Sequence, residues 1–157
     1  MSHEIDVQIE APFDERVAVE DLRRCALAVL IHQEVNDTCD LAVVVSDDNT
    51  LHDLNLRYRE VDKSTDVLAF PNESRGPFAG APGMPRYLGD VVISFPRAEA
   101  QAQQAGHTVV AELQLLVVHG VLHLLGYDDT EPQHRARMWA VQAKILDLLG
   151  VDAHPPQ

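Results

Sequence analysis

Two histidines four residues apart, His119 and His123, lie in the apolar run VVHGVLHLL, which is followed by Gly126 and the acidic pair Asp128 and Asp129. On a helix this spacing projects both imidazoles from one face, where they can hold one ion. Gly126 supplies a left-handed stop, so a residue two or three places on re-enters the space above the helix. Asp129 is the expected third donor; Asp128, or His134 early in the next helix, are the alternatives. As ordinary helix residues the two imidazoles would bury several polar atoms among Leu and Val with no evident gain. Two neutral imidazoles and a carboxylate are a three-donor set of the kind found in catalytic zinc sites, where the fourth position is left to a water whose pKa falls to roughly 7. One divalent ion per chain is expected, zinc first, while ferrous iron, nickel and manganese suit the same donors.

Zinc proteases share this ligand spacing but carry a general-base Glu directly after the first His. This chain has Gly120 there, which argues against peptide hydrolysis.

The elements that position these groups can be read from periodicity. EIDVQIEA alternates as a half-buried strand and Pro12 closes it. Val17, Val19, Leu22, Cys25, Ala26, Leu30 and Ile31 recur at helical spacing, predicting an amphipathic helix from Arg16 to about Val35 with Asp14 as N-cap. Leu41 to Val45 reads as a buried strand, Ser46 to Asn49 as turn and cap, and LHDLNLRYR as a short helix. TDVLAFP and YLGDVVISF complete four strands, and NESRGPFAGAPGMPR between them is expected to be an exposed, mobile loop. Pro96 opens a helix to about Ala105, a second runs from His107 to about Leu125, and a last from about Glu131 to Leu149, with Gly106 and Gly150 as stops. The mixture points to an α+β fold, a single domain over residues 1–150 with a small mixed sheet of about four strands covered by about five helices, and a frayed tail at 151–157. The strand order is not readable.

With 157 residues, 46% hydrophobic and 24% charged, the composition is globular, and no apolar run is long enough for a membrane span. The acidic N-terminus lacks a basic start and an apolar core, so a cytoplasmic location is expected and no membrane partner. Cys25 and Cys39 lack metal-binding spacing and are expected to be buried, reduced thiols. A net charge of −13 argues against nonspecific binding to nucleic acid, yet residues 57–97 hold six basic side chains against five acidic ones. That middle section could face an anionic ligand. Of the remaining chemistry-bearing residues, His107 is assigned to the surface and Met138 and Trp139 to the core. Asp66, with Thr65, either caps a turn or orients the site, and Tyr127 either packs or offers a stacking surface to an unpaired base.

HGVLHLLGYDD resembles the H-G-x-L-H-L-x-G-Y-D-H signature of the YbeY family of bacterial endoribonucleases. LNLRYREVDKSTDVLAFP is similar to that family's L-N-x-x-Y-R…T-D-V-L-S-F-P segment and LGDVVIS to its L-G-D-I-x-I-S strand, so the resemblance covers roughly residues 40–150. It implies a metal-dependent endoribonuclease that prefers single-stranded RNA and acts in ribosomal RNA (rRNA) maturation, notably at the small-subunit RNA 3′ end, and in ribosome quality control. Its partners would be rRNA and the small ribosomal subunit or its assembly proteins. His119 and His123 match the family's first two ligands and Arg59 the basic residue ending its Y-R segment, which makes Arg59 the implied phosphate contact; otherwise Arg59 pairs with Glu60 or Asp62 on a solvated face. Two positions depart from the pattern: Asp129 stands where the family has a third His, and Ala69 where it has Ser. A carboxylate ligates zinc well but neutralises more of its charge, which makes its water less acidic. A reading from another class is a ribosome-associated assembly factor whose metal is structural, held by four protein ligands.

Overall fold

Residues 3–72 and 85–154 are described by the computed structural model. The expected Gly- and Pro-rich loop lies outside the described residues apart from its ends. Exposed Glu4 and Asp6 alternate with buried Ile5 and Val7 in strand β1 (Glu4–Ile9), the period-two pattern of a strand with one wet face. Helix α1 (Val19–His32) buries Leu22, Cys25, Ala26, Val29 and Leu30, one apolar stripe at helical spacing. Asp14 is not its cap. It sits in a 3-10 turn (Phe13–Glu15) because the Phe13 ring stacks on Phe95 at 4.7 Å, which holds this stretch against another element and delays the helix to Val19, with Ala18 as N-cap.

Strand β2 (Cys39–Ser46) leads into helix α2 (Asp48–Arg59), where Asp47 Oδ1 accepts from Thr50 N at 2.8 Å. Strands β3 (Val67–Pro71) and β4 (Arg86–Ser94) follow, then helix α3 (Phe95–Ala105), capped by Ser94 Oγ accepting from Arg97 N. Thr108 caps helix α4 (Val109–Leu124), its hydroxyl accepting from Ala111 N at 3.1 Å, and Pro132 opens helix α5 (Pro132–Leu149). This is the expected α+β domain: four strands in the order β1-β2-β4-β3, with β1, β2 and β4 mutually parallel and β3 antiparallel on β4.

The first face of the sheet, through Ile5, Val7, Leu41, Val43, Val45, Val91 and Ile93, packs on α1 and α4. On the second face α2 covers the β3–β4 side through Leu51, Leu68 and Val92. Helix α4 buries twelve of its sixteen residues, so it is the central rod of the domain rather than a surface helix. No single helix among the described residues is long and apolar enough to cross a membrane. Both cysteines are buried and free, and burial pushes the Cys25 thiol up to about 11, which keeps it protonated and inert at neutral pH.

Helix α4 lies close on the sheet at Gly120, where an added Cβ would lie 2.5 Å from Val91 Cγ1. Gly120→Ala is therefore expected to destabilise the fold by about 1–3 kcal/mol, read as a fall in thermal midpoint, with Val91→Ala in the same chain restoring part of the loss. An unchanged midpoint would show that helix and strand separate without cost.

Candidate metal centre

His119 and His123 occupy the last two turns of α4, with ring centroids 4.7 Å apart and planes 76° to each other. Their Nε2 atoms face one another at 3.1 Å. Beyond the helix, Gly126 takes φ +101°, a left-handed conformation open to glycine at little cost, and the chain folds back. Asp129 Oδ2 thereby comes to 3.5 Å from His119 Nε2 and 3.6 Å from His123 Nε2. Among the described residues these three side chains form the group able to hold a metal ion, their donor atoms all within 4.8 Å of one another.

Each imidazole has its other nitrogen engaged. His119 Nδ1 donates to Gln142 Oε1 on α5 at 3.0 Å, and His123 Nδ1 donates to the Tyr127 carbonyl at 2.9 Å. An N–H on each Nδ1 leaves a lone pair on each Nε2, so two lone pairs and a carboxylate oxygen converge on one point. Without a cation or a shared proton there, the arrangement is repulsive. The donor separations are close to the roughly 3.3 Å expected between two donors on a tetrahedral zinc with bonds of about 2.0–2.1 Å, so the residues fit a divalent ion. Burial, then the neighbouring His123, hold the His119 imidazole below its ordinary pKa of 6.5, which keeps it neutral and available for ligation. The side chains of His119, His123 and Asp129 are 16%, 26% and 37% exposed, so the point they surround can be reached from solvent.

The alternatives for the third donor face elsewhere. Asp128 accepts from Thr130 N at 3.0 Å and Thr130 Oγ1 at 2.7 Å, which holds its carboxyl below the usual range. His134 approaches Asp128, at 3.9 Å, and with it borders a cavity of about 400 Å³ whose lining excludes the three donors. Arg135 Nε donates to the Asp129 carbonyl at 3.1 Å and so ties the returning turn to α5. Arg59 makes neither expected ion pair: its Nη2 donates to Ala69 O on β3 at 3.5 Å. Asp66 caps its own turn, accepting from Val67 N at 2.8 Å and from Thr65 Oγ1, and its charge also raises the pKa of His119. Tyr127 packs against the core and donates to Gln33 Oε1 at 2.8 Å.

Two expectations need correction. His107 is not a surface residue: its side chain is 3% exposed and pairs at 2.6 Å with Glu112, also 3% exposed, because it turns onto the carboxyl that the first turn of α4 buries. Burial pushes the Glu112 carboxyl up and His107 partly offsets it. Met138 is fully buried, whereas Trp139, one position round the helix, is half-buried. Gln142 was not anticipated, although it leaves a sign in the sequence. It continues the stripe Met138, Gln142, Ile145, Leu146, an amide among apolar residues that must find a partner where it is buried.

A model of the family described as Endoribonuclease YbeY matches residues 5–150. The Endoribonuclease YbeY of Chloroflexus aurantiacus (strain J-10-fl) is 42% identical over 147 residues, covering 91% of this chain and 96% of that protein. That of Roseiflexus castenholzii is 40% identical over 148 residues, covering 94% and 93%. A solution structure of a Thermotoga maritima protein superimposes with a TM-score of 0.58 over 98% of this chain and 99% of that one, at 21% identity, and so shares the fold.

The Gln142 bond is expected to orient His119 for ligation. Gln142→Met, which removes the acceptor, should weaken zinc binding by about 10- to 100-fold in competition with a chromophoric chelator, while Gln142→Glu should hold it. Equal affinity in the Met variant would remove that role. In the metal-free protein the depressed His119 pKa predicts stability that falls with pH. Above about 6.5 both folded and unfolded forms are neutral; below it the unfolded chain takes up a proton that the folded chain resists, until the lowered folded value is passed. The urea midpoint should drop from about pH 7.5 to 5.5 more steeply than in His119→Gln, and parallel slopes would contradict this assignment.

Proposed function

We propose, starting from the fact that the chain belongs to the YbeY family of endoribonucleases, that it cuts internal phosphodiester bonds of single-stranded RNA at a zinc centre made by His119, His123 and Asp129. The observation that carries this reading is the convergence of the three donors, their separations running from 3.1 to 3.6 Å. When bound there, a divalent ion supplies Lewis acidity for activating water and for offsetting charge on a phosphoryl group. Two neutral imidazoles and one carboxylate carry a single negative charge, so the loaded centre is net positive. A chain of net charge −13 thereby keeps a local attraction for a phosphate.

The protein's own part is to hold and to position. Gln142 and the Tyr127 carbonyl fix the two rings, and Arg135 steadies the turn that carries Asp129. Arg59 is the proposed phosphate grip. The bonds Ser94 N to Asp66 O and Asn72 N to Leu88 O place the even-numbered residues of β3 in hydrogen-bonded pairs with β4, so the Ala69 carbonyl points to the free edge of the sheet. Arg59 reaches that carbonyl by one long bond, an anchor that a phosphate can displace, and its planar fork suits two phosphate oxygens at once.

In the cell the substrate is rRNA: the protein acts in the cytoplasm, at the small-subunit RNA 3′ end and in ribosome quality control, with the small subunit or its assembly proteins as partners. The two buried free thiols accord with a reducing compartment. A purely structural zinc would call for a closed set of four protein ligands; the three donors seen among the described residues support an open, catalytic position instead.

Cleavage of a single-stranded rRNA fragment by the zinc-loaded protein tests the reading. His119→Ala and Asp129→Ala should abolish cleavage together with metal binding. Arg59→Ala should keep one zinc per chain and lose about 10²- to 10³-fold in rate, the cost of removing a group that steadies transition-state charge. Full activity in the Arg59 variant would remove it from the site, and stoichiometric zinc in a parent that cuts nothing would overturn the nuclease.

A further inference from the structure

The C-terminal end of α2 leaves three large apolar side chains in water, Leu56 at 46%, Tyr58 at 64% and, just past the helix, Val61 at 40% exposed. Single exposed apolar residues are ordinary, and Leu56 and Val61 call for no further account. Tyr58 differs in its surroundings. Its ring stands edge-on to Phe70 of β3, centroids 5.5 Å apart at 68°, and Phe70 is itself packed into the cluster beneath α2. The ring is thus braced from one side and open on the other. Arg57 and Arg59 flank it in the chain; Arg57 meets Asp53 at 3.5 Å in an ion pair open to water, which holds it weakly.

This braced ring lies beside β3, a strand that packs on the helix carrying both histidines. An added Cβ on Gly89, at φ +137°, would lie 2.2 Å from the Phe70 carbonyl and 3.0 Å from Leu124 Cδ2. Leu124, which follows His123, therefore packs close to Gly89, whose partner on β3 is Pro71. The strand packs on α4, whose last two turns carry both histidines. Ala69 faces α4, Phe70 faces α2, and Arg59 crosses the free edge between the two sides. Tyr58 directly precedes Arg59 at the end of α2, so a strand of nucleic acid with one phosphate at Arg59 would pass close to the exposed ring.

We propose that Tyr58, braced by Phe70, is a stacking platform for one unpaired base of the RNA. An aromatic face beside arginine suits a nucleobase with its phosphate, because the ring contributes stacking and the cation contributes charge. A paired base has its faces covered by its neighbours, so a platform of this kind selects for unpaired segments. The proposal rests on RNA being the substrate of the metal centre, and the test separates binding from cleavage for that reason.

The probe is a fluorescein-labelled, single-stranded oligoribonucleotide, 2′-O-methylated throughout, titrated by anisotropy with zinc-loaded protein. Tyr58→Ala should raise Kd about tenfold and Tyr58→Phe should stay within about twofold, as expected when a ring face rather than the hydroxyl makes the contact. On a series of probes each lacking one base, the parent should lose affinity at one position, and Tyr58→Ala should lose nothing further there. Equal Kd for the parent and Tyr58→Ala, or a Tyr58→Ala loss that persists on every base-less probe, would overturn the platform, as would a parent that does not bind the probe. A parent that binds with these contrasts yet leaves unmodified RNA uncut would overturn the nuclease and support the platform.

Discussion

The position of everything in the centre depends on how closely α4 lies on the sheet. Gly120 faces Val91 with no room for a side chain between them, and that contact sets the depth and rotation of the helix. With the Gly120 side turned to the sheet, His119 lies about 100° and His123 about 60° round the helix from it in the same direction, so both rings project to one side of that contact. The apolar residues around α4 clamp it from α1, α3, β3, β4 and α5. Two donors on so constrained an element behave as one rigid pair, while the third arrives on a short turn that Gly126 allows and that the Tyr127 carbonyl, bonded to His123, and Arg135 hold in place.

Electrostatics has to solve a conflict. The chain is strongly acidic, its family acts on a polyanion, and five of its cations are tied to carboxylates: Arg16 to Glu99, Arg23 to Glu20, Arg57 to Asp53, Arg86 to Asp37 and Arg97 to Asp48. Close to the candidate centre the attraction for RNA is local: the positive excess that a divalent ion would bring, and the Arg59 guanidinium held by a carbonyl. Such an arrangement favours substrates presented at short range over those captured by a long-range field.

Much of this was legible in the residues. The His119 and His123 pair, the Gly126 turn and the four strands each depend on local rules of spacing and backbone freedom, and the structure has them near the expected places. What local rules missed was set by distant contacts. Asp14 had the right chemistry for a cap but is held by the stacking of Phe13 on Phe95, more than eighty residues away in the chain. His107 looked like a surface residue because nothing in its neighbourhood showed that the start of α4 would be buried with Glu112 beside it. Strand order, with β4 between β2 and β3, is likewise a matter of which partners meet.

The close fit at Gly120 also bears on what this scaffold can become. A zinc peptidase needs a carboxylate immediately after its first histidine, on a side of the helix that looks out on the substrate. Here that side is occupied by a β-strand, and any carboxylate placed there would be driven into Val91. A change of reaction class cannot therefore be reached by one substitution at that position, since the sheet itself would have to withdraw. The contact that secures the helix also narrows the evolutionary routes open to it, and divides it from helices of the same ligand spacing by architecture as well as by sequence.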